Sequence, residues 1–166
     1  MNVKDPQTQL ETRRPGPPKE LRTSLSFLAK RVGFGVKERM ADAFEETGLS
    51  MYDHAILALL EEEPRETQAQ IADALGYDRS HLVGVLDELE ERGLIERRRD
   101  TLDRRRHLVT MTPAGKKALT RLRAVVNRVD DEYFEPLDAA ERRTLKTLLA
   151  RLAAHHDPRY RSNGGS

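Results

Sequence analysis

The stretch DRSHLVGVLDELEERGLIERRRDTLDRRRHLVTMTP, residues 78–113, decides the fold. Leu82, Val85, Leu86 and Leu89 recur at helical spacing and form one apolar face. Asp78 or Ser80 caps the start of that helix, and Gly93 stops it. Leu94-Ile95-Glu96-Arg97 and His107-Leu108-Val109-Thr110-Met111 then read as two strands, with the arginine-rich segment between them as a hairpin loop.

Working upstream, Thr67 with Gln70 makes a capping box for a shorter helix that carries Ile71 and Leu75 and stops at Gly76. Two short helices joined by a turn of three or four residues read as a helix-turn-helix, and the hairpin that follows makes the pattern a winged helix. Before this, Ser50 and Asp53 open another helix bearing Ile56, Leu57, Leu59 and Leu60. The stripe Leu21, Leu25, Leu28, Val32, Val36, Met40 and Phe44 predicts one amphipathic helix of about seven turns, interrupted by Gly33 and Gly35 and ended by Gly48. Downstream, Thr112 and Pro113 open a helix carrying Ala118, Leu119, Leu122, Val125, Val126 and Val129. Asp138 and Glu141 cap a last helix whose Leu145, Leu148, Leu149 and Leu152 are expected to be buried.

The expected fold class is therefore mainly α with a small β-wing: a winged helix-turn-helix over residues 48–112, flanked by N- and C-terminal dimerisation helices at 21–47 and 113–156. Residues 1–20, with four of the eight prolines, read as a disordered arm, and 157–166 as a flexible tail.

Composition narrows the function. Charged residues make up 34% of the 166 and the apolar types 37%, with no tryptophan, so a single subunit has a thin core and the long stripes call for a second copy. No apolar run is long enough for a membrane span, and Pro15-Gly16-Pro17-Pro18 follows Arg13-Arg14 where an export signal needs an apolar stretch; a cytoplasmic protein is expected. The absence of cysteine excludes disulfides, thiolate nucleophiles and cysteine-ligated metals. The five histidines show no spacing that puts two ligands on one helical face, and neither a phosphate loop nor a nucleophile motif is present, so no metal, no cofactor and no enzymatic activity are expected.

Charge is placed unevenly although the net is +1. Residues 61–92 carry ten acids against three arginines, net −7, whereas residues 97–106 carry six arginines and two aspartates, net +4. Arginine matches phosphate geometry and enters narrow minor grooves, so the wing is the expected site of DNA contact. In the helix before it, Arg79, Ser80 and His81 occupy the first turn, the part that meets base edges in helix-turn-helix docking. An acidic surface around these residues confines contact to helix tip and wing.

The combination resembles the multiple-antibiotic-resistance regulator (MarR) family of transcription factors over about residues 21–155. The resemblance rests on Gly48-Leu49-Ser50, on Asp78-Arg79-Ser80 through Glu90-Glu91-Arg92-Gly93-Leu94-Ile95-Glu96-Arg97, and on Asp103-Arg104-Arg105 through Thr112-Pro113-Ala114-Gly115. It implies a homodimer that binds double-stranded DNA at a pseudopalindromic operator and represses nearby genes until a small aromatic or phenolic effector releases it. Asp103 and Arg105 resemble the family's Asp-x-Arg wing element, in which the acid orients an arginine entering the minor groove. Candidate DNA-contacting residues are Thr67, Gln68, Arg79, Ser80, His81, Arg98, Arg99, Asp103, Arg104 and Arg105. Candidate effector-binding residues are Phe27, Arg31 and His54, since ligands of the family lodge beside the first and second helices. Two departures stand out: Val83-Gly84 where the family often has Thr-Arg, together with Glu88 where it often has a basic residue, and Asp53-His54 where it often has Gln-Trp or Gln-Phe. The alternative reading is a winged-helix module that docks another protein through its acidic face.

Overall fold

The computed structural model describes residues 16–63, 66–100 and 107–161. Of the arm expected over 1–20, residues 1–15 lie outside the described residues and a helix already begins at Lys19; residues 101–106 and 162–166 also lie outside them, while Pro158–Tyr160 of the expected flexible tail form a 3-10 turn that Asp157 caps. The chain divides into two compact units, one ending at Gly35 and one running from Val36.

In the first unit, α1 (Lys19–Thr23) and the start of α2 (Leu25–Glu45) replace the single helix expected from Leu21. The break falls at Ser24, not at the glycines. Ser24 is extended, and its hydroxyl accepts from the Phe27 amide at 3.4 Å, so a side-chain cap starts a new helix there. Gly33 lies inside α2 with nothing near the place a Cβ would occupy, so no close packing requires it.

The second unit contains the end of α2, α3 (Met51–Glu62), β1 (Glu66–Thr67), α4 (Gln68–Leu75), α5 (Arg79–Glu91), β2 (Ile95–Arg99), β3 (His107–Met111), α6 (Pro113–Tyr133) and α7 (Ala139–His156). The capping boxes expected for α3, α4 and α7 are all formed. For α5 the cap is Asp78, whose carboxylate accepts from the amides of Ser80 and His81 at 3.0 and 3.1 Å. Ser80 is therefore not the cap; its hydroxyl donates to the same Asp78 oxygen. Gly48, Gly76 and Gly93 have φ of 68°, 66° and 67°, the left-handed region a helix end uses to turn away and that only glycine enters cheaply.

The sheet has three strands in the order β1-β3-β2, both pairs antiparallel. β2 runs two residues further than expected: Arg98 pairs with Leu108 and Arg99 with His107, so both arginines sit on a strand and not in the loop. β1 was not foreseen because its two residues overlap the α4 cap and have no alternation to read.

The core is continuous across these elements. Phe44 of α2, Ile56 and Leu57 of α3, Ile71 of α4, Leu82 and Leu86 of α5, Ile95 and Val109 of the sheet, and Leu119 and Leu122 of α6 are all buried. The N-terminal half of α6 thus belongs to the winged-helix core. α7 differs: none of its residues is buried, and Leu148, Leu149 and Leu152 are 44%, 52% and 55% exposed, against the expected buried face. Among the described residues none buries them, although Leu149 lines a cavity with Phe134 and Tyr160. Among the described residues no helix is long and apolar enough to cross a membrane.

Candidate functional site

The first turn of α5 is a compact polar tip. Asp78 holds the turn by accepting two amides and the Ser80 hydroxyl, and those bonds keep its carboxyl below the usual carboxylate range. Arg79, Ser80 and His81 are all exposed. The ion pair between Arg79 and Asp73 is 3.5 Å long, with both side chains 71% exposed, a contact that water competes with easily and that leaves the guanidinium available. Further along the same helix the outer face offers little beyond the exposed carboxylates of Glu88 and Glu91. Val83 is exposed, and a Cβ at Gly84 would meet nothing within 4 Å. The charged and hydrogen-bonding groups of the first turn, Arg79, Ser80 and His81, thus precede an apolar and glycine step at 83–84.

Thr67 and Gln68 begin α4. Thr67 is committed to its box, donating to Gln70 Oε1 at 2.5 Å and accepting from the Gln70 amide at 3.3 Å, while Gln68 is half-buried.

The arginine-rich strand divides its labour. Arg97 turns inward and donates to Glu90 through Nε at 2.8 Å and Nη2 at 2.6 Å, and to Asp87 at 2.6 Å. Its backbone amide also donates to Glu90 at 2.9 Å. Arg98 and Arg99 are exposed, with Arg98 paired to Glu96 at 2.6 Å. Asp103, Arg104 and Arg105 lie outside the described residues.

A cavity of about 710 Å³ opens between the end of α2 and the start of α3, its wall reaching Tyr77 and α6. Met40, Phe44, Leu49, Tyr52, His54 and Tyr77 make most of its surface apolar and aromatic, and Lys37 supplies a cation. His54 packs its ring 5.8 Å from that of Phe44. Burial, then the positive charge of Arg123, lowers its pKa below the ordinary histidine value of 6.5. The expected residue His54 is thus in the wall. Phe27 and Arg31 belong to the first unit, Phe27 half-buried and Arg31 exposed.

Sequence reasoning missed Lys37, Tyr52 and Tyr77. Lys37 was legible: with Met40, Ala41 and Phe44 it shares one helical face at spacings of three, four and seven. For Tyr52 and Tyr77 no local signal existed, because they come from separate helices.

A model of the MarR family matches residues 49–107. A protein of Thauera aromatica assigned as the transcriptional regulatory protein for the hcr operon is 35% identical over 133 residues, 75% of this chain and 80% of that protein. The chain belongs to the MarR family. Among solved structures it is similar to the transcriptional repressor CouR on a 23-mer DNA duplex, with 33% identity and a TM-score of 0.75 over 84% of this chain and 99% of that one. It is also similar to CouR of Rhodococcus jostii RHA1 bound to p-coumaroyl-CoA, with 32% identity and a TM-score of 0.67 over 82% and 96% of the two chains. The MarR-family reading makes the protein a transcriptional regulator and gives the polar tip of α5 and the arginine strand their context.

Proposed function

We propose that this MarR-family protein is a homodimeric repressor that binds a pseudopalindromic operator in the cytoplasm and leaves it when a small aromatic acid, or its thioester, occupies the α2–α3 cavity. The observation that carries the reading is the pairing of an exposed, firmly capped Arg79-Ser80-His81 tip with an arginine strand in one unit. The tip reads bases; Arg98, Arg99, Arg104 and Arg105 hold phosphates or enter the minor groove, with Asp103 orienting Arg105. The role requires no catalytic step.

The exposed leucines of α7 support dimerisation through residues 21–47 and 113–156, with the two half-sites about 10 to 10.5 base pairs apart. The CouR complex with p-coumaroyl-CoA supports an aromatic acyl effector. In the cavity, His54 and the tyrosines would face the ring and Lys37 the anion.

A duplex selected by the protein from random sequence tests the reading. Arg105→Ala should weaken binding strongly and flatten the dependence of log K on log salt, while Arg151→Ala on α7 should do little. Equal losses at both sites would mean nonspecific charge, and binding to no duplex would favour a protein-docking module.

A further inference from the structure

The start of α3 touches the tip of α5 through rings. Tyr52, the second residue of α3, has its ring centroid 4.7 Å from that of His81 with the planes at 73°, and 5.0 Å from that of Tyr77 at 71°. Both are edge-to-face contacts. Tyr77 and His81 stand on either side of Asp78, the residue that caps α5, so Tyr52 spans the beginning of the recognition helix. Its backbone is anchored: Ser50 and Asp53 close the capping box around it, with the Ser50 amide 2.6 Å from a buried Asp53 carboxylate. Tyr52 itself is 43% exposed, so its side chain is not locked in the core.

The same two tyrosines line the cavity. An occupant that stacks on Tyr52 or Tyr77, or needs their space, competes with the contact that holds His81. We propose that Tyr52 is the positioning residue through which occupation of the α2–α3 cavity is reported to the DNA-reading tip of α5. The step is a change of ring packing, not a rearrangement of the helix: with the cavity empty, Tyr52 holds the His81 ring in its reading position, and an occupant that binds better when Tyr52 is turned releases it. One edge-to-face pair shifts such an equilibrium roughly 2- to 12-fold. The proposal rests on the reading of the protein as a ligand-responsive DNA-binding regulator.

The absence of cysteine allows a test independent of the natural effector. Ala41 on α2 and Ala55 on α3 both line the cavity. Ala41→Cys, and separately Ala55→Cys, is modified with benzyl methanethiosulfonate, which places one aromatic ring in the cavity and is removed by a reductant. The ring protons of His81, assigned with His81→Gln, are followed by NMR, and affinity is measured for the selected duplex. The label should move the His81 signals and weaken duplex binding 2- to 12-fold, and reduction should restore both. In a Tyr52→Leu background, shown folded by its melting temperature, the label should move neither; Tyr52→Phe should behave as the parent. Unmoved His81 signals with both labels, or an equal loss of affinity with and without Tyr52, would overturn the relay. A parent that selects no duplex would overturn the regulatory reading instead, and the His81 signals would still decide the ring contact.

Discussion

Arg97 on β2 grips Glu90 on α5 with two guanidinium nitrogens and its own backbone amide, so the strand that leads into the wing is tied to the last turn of the recognition helix. Among the described arginines of this run, Arg97 is the strut. Its side chain is 25% exposed, and Asp87 completes its pairing. Arg97→Ala should cost about 1 to 2 kcal/mol, held down by the solvent that reaches Glu90. Arg97→Lys should recover little, because an ammonium cannot make the bidentate bond. Arg98→Ala and Arg99→Ala should leave stability within about 0.5 kcal/mol and act on DNA binding alone. Urea unfolding of the four variants, beside salt titrations of duplex binding, checks the division; a stable Arg97→Ala with a flattened salt slope would place Arg97 on DNA.

The same pair has a pH signature. The hydrogen bond from Arg97 holds the Glu90 carboxyl below its ordinary value of 4.5. A carboxylate so lowered contributes stability that is complete above its unfolded pKa and is lost as pH falls through the folded one. Glu90→Gln should therefore remove part of the acid-side loss of stability below about pH 4.5, seen by comparing denaturation midpoints over that range.

His54 works over a higher window. Its pKa is lowered by burial and by Arg123, so the unfolded chain takes up a proton before the folded one does. Stability should fall as pH drops from about 6.5 to the folded pKa, and level off below it. His54→Phe should flatten that segment of the curve. If the variant keeps the parent's slope between pH 6.5 and 5, the ring is not protected as described.

Gly115 lies where α6 meets the end of the helix-turn-helix. A Cβ there would stand 2.2 Å from the carbonyl oxygen of Leu94, which already accepts from the Thr112 amide at 3.0 Å. Gly115→Ala should cost about 1 to 3 kcal/mol despite the better helix propensity of alanine, because backbone must move. Thermal unfolding measures it; a stabilised variant would show that the junction yields freely.

The uncovered leucines of α7 predict assembly. Leu149→Glu and Leu152→Glu should shift sedimentation towards the monomer and weaken operator binding in parallel, since each half-site then binds alone. A parent that sediments as a stable monomer at micromolar concentration would remove the basis for the dimer.

What the sequence by itself determined was most of what has a local cause. Ser50 with Asp53, Thr67 with Gln70 and Asp138 with Glu141 lie three residues apart, close enough for a side chain to reach its own helix start, and all three boxes form. The apolar period marked the core faces of α3 to α6, and the arginine run announced the wing. The helix break at Ser24 is the local signal that the apolar stripe hides, because Gly33 and Gly35, nine and eleven residues downstream, offer a louder one. Tertiary structure alone decided which charged and aromatic side chains meet. That Arg97 faces Glu90 while Arg98 faces water depends on the strand's alternation relative to α5, and a strand placed one residue off would exchange them. That Tyr52 meets His81, 29 positions later in the chain, depends on how α3 crosses the start of α5. Such contacts are set by the packing of whole helices against a shared core, and no spacing along the chain carries that information.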